Sequence, residues 1–243
     1  MNMHANHDPA GPLISIITVV RNGRDVIEHT IRSVLDQRYQ NIEYIVIDGG
    51  STDGTVDVIK KYADRIAYWV SEPDAGIYDA MNKALDHVHG EGHLFLNAGD
   101  YFVGDAIPDH LDLPCYIKVY KKNIFGKVRL IRRKNHRLGL PYCHQGILFG
   151  TLGVRYNLSY SIAADYRYYL DHGYTQLSFC NSTGYVYHDV GLSKIHANIR
   201  DQEIASIIKS RFNLGWYTLF RFLVVGKDII RSCFKFASKI RSL

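Results

Sequence analysis

Short apolar runs rich in β-branched residues alternate with segments of helical period through the first hundred positions. Leu13–Val20 (L-I-S-I-I-T-V-V) reads as a first strand, followed by a turn at Arg21–Gly23. Asp25–Gln37 has helical spacing, with Val26, Ile27, Thr30, Ile31, Val34 and Leu35 on one face. Glu43–Ile47 is a second strand, and Ser51–Gly54 opens a helix running to about Tyr62. Ile66–Val70 reads as a short strand, Gly76–Val88 as a helix and Leu94–Leu96 as a strand. Apolar runs of this length fit buried parallel strands, and the alternation predicts a parallel α/β sheet.

Beyond Asp100 the pattern changes. Tyr116–Tyr120 and Val128–Arg132 read as two strands around a turn at Asn123–Gly126. Lys134–Tyr142 reads as a loop, Gln145–Phe149 as a strand, Ala163–His172 as a tyrosine-rich helix and Tyr185–His188 as a strand. From Lys194 the chain is expected to be mainly helical.

Charge is unevenly spread. Residues 1–112 carry 8 Lys/Arg and 18 Asp/Glu, whereas 113–164 carry 10 Lys/Arg and no acid. Residues 165–213 balance, and 214–243 carry 6 bases and 1 acid. The asymmetry fits a donor half organised around acids and a metal, and a second half that meets anions. The four cysteines show no C-x-x-C spacing and read as free thiols of a reducing compartment. Residues 1–12 lack the apolar stretch of a secretory signal, and no window is long and apolar enough to be a membrane span.

Two predicted strand ends carry chemistry. Ile47–Thr55 (I-D-G-G-S-T-D-G-T) and Leu96–Asp100 (L-N-A-G-D) put carboxylates and glycines directly after apolar runs. Ligands of open α/β sheets bind beyond the carboxyl ends of strands, so Asp48 and Asp100 are expected to face one crevice. Two acids there can serve a sugar nucleotide, one at the nucleoside and one at a metal on the diphosphate. Asp53 is better placed to cap the helix at Thr55. Gly49, Gly50 and Gly54 permit a sharp turn and close approach of a ligand.

Five segments in order carry a resemblance: Ile16–Asn22, Asn41–Thr55, Ser71–Leu85 (S-E-P-D-A-G-I-Y-D-A-M-N-K-A-L), Leu96–Phe102 (L-N-A-G-D-Y-F), and Cys143–Gln145 with Ala163–Leu170. Across residues 13–192 the sequence resembles the family 2 glycosyltransferases, in the branch of bacterial enzymes that build surface polysaccharides. The resemblance implies a GT-A (Rossmann-like) α/β fold with a mainly parallel central sheet. It also implies transfer of a sugar, with inversion, from a nucleotide-diphosphate donor to an acceptor hydroxyl, assisted by Mg²⁺ or Mn²⁺. Carried over by position, Asp48 matches the strand-end acid at the donor base, and Val19 and Arg21 match residues lining the base pocket. Asn82 lies on the helix placed near the diphosphate, and Met81 stands where many members have arginine. Asp100 matches the last acid of the metal-binding element. Asn97 and Gly99 stand where many members carry further acids, so fewer protein charges hold the metal; Asn97 is kept with the donor-binding set. Asp165 matches the general base at the start of an acceptor-side helix. Asp79 is the rival acid, and with His144 and Gln145 it is a candidate for contact with sugar or acceptor. His188 reads as a surface histidine within reach of the diphosphate.

The expected organisation is a flexible N-terminus at 1–12, a catalytic domain at 13–193 (donor half 13–102, acceptor half 103–193) and a helical C-terminal extension at 194–243. Wound as a helix, 214–243 places Trp216, Leu219, Leu223, Ile230, Cys233, Ala237 and Ile240 on one side. Arg221, Lys227, Arg231, Lys235 and Lys239 gather on the other. That is the pattern of an amphipathic helix lying in an anionic membrane interface. The expected location is therefore cytoplasmic, peripheral at the inner face of the membrane, beside a lipid-linked or oligosaccharide acceptor. The alternative is a sugar-nucleotide-binding protein without transfer activity, favoured by Asn97 and Gly99 and opposed by Asp48, Asp100 and Asp165. A nucleotidyltransferase would need a Gly-rich basic loop after the first strand, which Val19–Gly23 does not supply. Arg132-Arg133-Lys134 has no nucleic-acid module around it, so no nucleic-acid partner is expected.

Overall fold

Strand β1 (Ile14–Val20) is buried at every position and pairs in parallel on both edges, with β2 (Ile42–Asp48) and β4 (Gly92–Phe95). This computed structural model describes residues 11–122, 128–130, 135–174, 177–180, 184–188 (backbone alone for 185–188) and 196–224. Most of the N-terminal stretch, the turn at Asn123–Gly126, the run Arg132-Arg133-Lys134, the His188 side chain and residues 225–243 of the tail lie outside the described residues. Ile14, Ile16, Ile17, Val19 and Val20 are at most 7% exposed. At roughly 1.5–3 kcal/mol per fully buried aliphatic side chain, this one strand makes a large contribution to the core.

Strand β3 (Tyr68–Ser71) extends the parallel set beyond β2. On the other side β4 meets β9 (Ile147–Gly150) antiparallel, then β6 (Cys115–Tyr116) and β10 (Ser178–Phe179), giving the order β10-β6-β9-β4-β1-β2-β3. A second sheet runs β5 (Tyr101–Phe102), β11 (Tyr185–His188), β7 (Val119–Lys122), β8 (Val128–Leu130). Helices α1 (Arg24–Leu35), α2 (Thr55–Lys60) and α3 (Ile77–Leu85) follow β1, β2 and β3, and α4 (Ala164–Asp171) follows β9. Helix α5 (Ala197–Arg211) buries Ala205, Ile207 and Ile208 in the same core, and a further helix spans 214–224.

The predicted strand at Tyr116–Tyr120 is two strands in two different sheets. The chain switches at Ile117–Lys118, where the Ile117 amide donates to Gly146 O (2.8 Å). A Cβ on Gly146 would lie 2.3 Å from Val119 Cγ2, so only glycine allows this crossing. The free-thiol expectation also needs correction: Cys115 and Cys180 form a disulfide. Parallel pairing of β6 with β10 brings their Cα atoms to 6.1 Å, within bridging range, although 65 residues separate them in sequence.

Helix α1 carries a polar stripe that templates the loop after β4. Thr30 Oγ1 donates to Asp100 O (2.8 Å) and accepts from Gly99 N (3.0 Å). Ser33 Oγ accepts from Phe102 N (3.2 Å). Just past the helix end, Gln37 donates to Gly104 O (2.9 Å) and accepts from Ala106 N (2.8 Å). Buried backbone groups left without such partners would cost about 1–3 kcal/mol each. Thr30→Val keeps the shape and removes the hydroxyl. It is expected to lower unfolding free energy by roughly 1–3 kcal/mol in urea titrations, with little change in m.

Candidate active site

The carboxyl ends of β1, β2 and β4 point to one edge of the sheet, where strand order reverses about β1. The β1–α1 and β2–α2 loops are joined there by four hydrogen bonds. Asn22 N donates to Ser51 Oγ (2.7 Å), Thr52 N to Asn22 Oδ1 (3.0 Å), Gly23 N to Thr55 Oγ1 (2.9 Å) and Arg24 N to Asp53 Oδ2 (3.0 Å). Asn22 adopts a left-handed conformation at φ 52°, a role for which its side chain is suited.

Asp48 ends β2 and is fully buried. Its carboxylate accepts from Ser51 N (2.9 Å), Ser51 Oγ (2.5 Å) and, across the register to β3, Ser71 Oγ (2.6 Å). An ionised carboxylate offers about four acceptor positions, so the protein occupies most of this one's capacity. Asp53 stands one position before Gly54, the N-cap of α2, and accepts from Thr55 N (3.0 Å) and Thr55 Oγ1 (2.5 Å) at the first helical residue. The Thr55 hydroxyl and the Arg24 amide hold its pKa below the usual carboxylate range. Asp74, given no role by the sequence reading, lies against this turn: a Cβ on Gly49 would fall 2.1 Å from Asp74 Oδ2. Gly49 thus admits a second acid beside Asp48.

Arg21 follows β1, is exposed, and makes no hydrogen bond or ion pair among the described residues. Val19 is 6% exposed and lies in the strand interior, beneath the edge. Asp100 is 5% exposed, and its backbone amide donates to Asn97 O (3.0 Å) while Thr30 holds its carbonyl. Asn97 Oδ1 in the same turn is buried and has no hydrogen-bond partner. A hard amide oxygen without a hydrogen-bond partner among the described residues, in the same turn as a carboxylate-bearing residue, is of the donor type that Mg²⁺ or Mn²⁺ takes. Among the described residues no cluster of three His, Cys, Asp or Glu side chains assembles.

Other sequence candidates go elsewhere. The Asn82 amide pairs with the backbone of Tyr156, donating to its carbonyl (3.0 Å) and accepting from its amide (2.8 Å). Asp79 accepts from Ala75 N (3.0 Å) at the start of α3. His144 is 5% exposed, and its Nε2 bonds the Tyr156 hydroxyl at 2.5 Å. Burial, with the nearby His172 charge, pushes its pKa down to about 3, which keeps the ring neutral. It belongs to a buried aromatic layer in which Tyr156 and Tyr168 stack at 4.1 Å and His93 meets the Tyr168 hydroxyl at 2.7 Å. Gln145 is half-buried and accepts from Cys143 Sγ (3.0 Å).

Asp165 sits in the first turn of α4, where the helix dipole favours a negative charge. Tyr166 N donates to its Oδ1 (2.7 Å). Burial raises its pKa to about 6, and the Glu203 charge adds to the rise against the Tyr166 amide. The turn before α4 is held from two sides. Tyr78 donates to Ile162 O (2.8 Å), and the Glu203 carboxylate accepts from the amides of Ser161, Ile162 and Ala163. Neither Glu203 nor Thr30 announces itself locally in the sequence.

The glycosyl transferase family 2 model matches residues 15–116. An uncharacterized glycosyltransferase of Mycobacterium tuberculosis is 36% identical over 180 residues, 66% of this chain and 69% of that protein. The putative teichuronic acid biosynthesis glycosyltransferase TuaG of Bacillus subtilis is 39% identical over 104 residues, 42% of this chain and 41% of its own length. Among solved structures, S. aureus TarS 1-349 in complex with UDP superposes with a TM-score of 0.60 at 17% identity, covering 83% of this chain and 66% of that one. The mannosyltransferase PcManGT of Pyrobaculum calidifontis, in complex with GDP-Man and Mn²⁺, gives a TM-score of 0.56 at 20% identity, covering 80% of this chain and 62% of its own. Strand order, loop chemistry and these likenesses agree, and the chain belongs to glycosyl transferase family 2, on a GT-A fold.

Proposed function

We propose that this chain is an inverting, metal-dependent glycosyltransferase of surface-polysaccharide assembly, with Asp165 as its general base. The observation that carries the reading is the Asp165 carboxylate in the first turn of α4, on a turn held by Tyr78 of α3 and by Glu203; burial raises its pKa to about 6. A base whose pKa lies near the working pH combines a usable ionised fraction with proton affinity. In the reaction the acceptor oxygen forms a bond to the anomeric carbon, the bond from that carbon to the phosphate oxygen breaks, and Asp165 takes the acceptor proton. Asp48 and Arg21 flank the nucleoside, and Asp100 with Asn97 would hold the cation, which stabilises charge on the departing diphosphate. TuaG's name supports the polysaccharide setting, and the Mn²⁺ in the PcManGT complex supports the metal. The rival reading, a nucleotide-sugar-binding protein without turnover, draws on the burial of Asp100. Release of nucleotide diphosphate from a panel of UDP-, GDP- and dTDP-sugars with Mn²⁺ decides between them.

The acceptor is a lipid-linked oligosaccharide in this reading, met at an anionic membrane surface. Over 214–224 the expected apolar face is divided: Trp216 packs against the core beneath Arg137, whereas Leu219 and Leu223, with Leu214 and Phe222, are exposed and support the reading. Exposed large apolar side chains beside basic ones favour the interfacial plane.

Asp100→Asn and Asp100→Ala are expected to abolish transfer, and EDTA to do the same to the wild type; full activity in EDTA would refute the metal. Asp165→Asn should keep donor binding and lose roughly 10²–10⁴-fold in turnover. The wild-type kcat/KM should fall about tenfold per unit as pH drops below about 6, because protonation removes the base as pH falls through its raised pKa. A flat profile between pH 5 and 7 would assign the base elsewhere. The full chain should sediment with anionic vesicles at low salt and a chain ending at Asn213 should not; two soluble proteins would rule out membrane docking.

A further inference from the structure

Helix α5 lies in the C-terminal extension, beyond the segments that resemble the family, yet it grips both ends of α4. At the start of α4, one Glu203 oxygen accepts from Ser161 N (2.7 Å) and Ser161 Oγ (2.8 Å). Its other oxygen accepts from Ile162 N (2.9 Å) and Ala163 N (2.8 Å). At the other end, Arg211 donates to Leu170 O (3.0 Å) and pairs with Asp171 Oδ1 (3.1 Å). Glu203 and Arg211 are eight residues apart on α5. At ~1.5 Å rise per residue they span ~12 Å, the length of the eight-residue α4. The two helices therefore run side by side in the same direction. The acid of α5 meets the positive end of α4 and its base meets the negative end, the arrangement that opposes both helix-end charges.

First-turn amides of a helix have no intrahelical partner. Here the N-cap residue, Ala163, makes no side-chain capping bond, and a distant side chain instead accepts from its amide and from the two amides before it. Burial alone would raise the Glu203 pKa, but its donors from Ser161, Ile162 and Ala163 outweigh that and hold it below the usual range. It is therefore ionised throughout the working range and its bonds are charge-assisted. Asp165 follows the gripped turn by two residues.

We propose that Glu203 is a positioning residue for transfer: by holding the amides of Ser161, Ile162 and Ala163 it fixes the turn that aims Asp165 at the acceptor. This rests on the reading of Asp165 as the base. The groups facing Asp165 are Tyr78 from α3, Tyr156 from the segment before α4, Glu203 from α5 and the Tyr166 amide of its own helix. Glu203 is the one among them that carries a full charge near neutral pH, so its field acts with a defined sign.

The test uses the full chain, with three readouts: thermal unfolding, the ¹³C titration of the Asp165 carboxyl, and turnover of whichever UDP-sugar the wild type hydrolyses fastest. Glu203→Gln removes the charge and two acceptor positions. It is expected to lower kcat roughly 10–10²-fold with the donor KM unchanged. It should also move the Asp165 titration, and the acid limb of kcat, to lower pH. Glu203→Asp keeps the charge and shortens the reach, so kcat falls while the titration stays nearer the wild type. In an Asp165→Asn background, Glu203→Gln should cost no further turnover. Wild-type kcat and an unmoved titration in Glu203→Gln, with Asp165→Asn crippled, would overturn the proposal whatever happens to Tm. So would an equal loss in the Asp165→Asn background. Wild-type turnover in Asp165→Asn itself would instead remove the base assignment, and the positioning role with it.

Discussion

Strand β1 bonds to parallel neighbours on both edges, and every one of its residues is buried. Parallel strands all deliver their carboxyl ends to the same side, so the loops after β1, β2 and β4 have no choice but to meet. The Val20–Asp48 and Asp48–Ser71 register pairs then set the height at which each loop leaves the sheet. Asn22, Ser51, Thr52 and Asp53 bind those loops together, and Thr30 holds the turn bearing Asp100 from the helix below. Asp48, Asp53 and Asp100 are therefore placed by backbone geometry, and the side chains of Asp48 and Asp53 are fixed by short bonds to neighbouring hydroxyls and amides.

That part of the molecule was readable from the sequence because the information is local. A β-branched run, a helical stripe and an acid with glycines at the join are each visible within ten residues, as with Leu13–Val20 and Ile47–Thr55. Asp53 was recognisable as a partner of the helix start at Thr55 for the same reason. Where the reading failed, the cause acts at a distance. The break at Ile117 depends on Gly146, twenty-nine positions later in the chain. The bond between Cys115 and Cys180 depends on strands pairing across 65 residues. Thr30 was counted with an apolar face, but its hydroxyl is what the loop uses. His144 was given to a pocket, whereas its ring is packed against Phe95 at 5.3 Å in the interior.

The two halves are organised by different physics. In the donor half, polar groups stand at strand ends and are satisfied by hydroxyls of the next loop. Around α4, tyrosines and neutral histidines fill the interior; burial lowers His93 of β4 to about 3, with His172 and His144 adding to the effect. Glu203 and Arg211, on a helix that also packs into the core, bring opposite charges to the two ends of α4. The carboxylate with the raised pKa lies where these two regimes meet.

The paired hydrogen bonds between Asn82 and the Tyr156 backbone have a mechanical meaning. An amide side chain reproduces there what a neighbouring strand would offer, and Arg155 adds a bond from its guanidinium to Asn82 O at 2.7 Å. Tyr78, one turn earlier on α3, grips Ile162 at 2.8 Å. Helix α3 is thus riveted to the far half at two points along its length. The halves cannot swing apart like jaws about a hinge at this seam without breaking all of these bonds together.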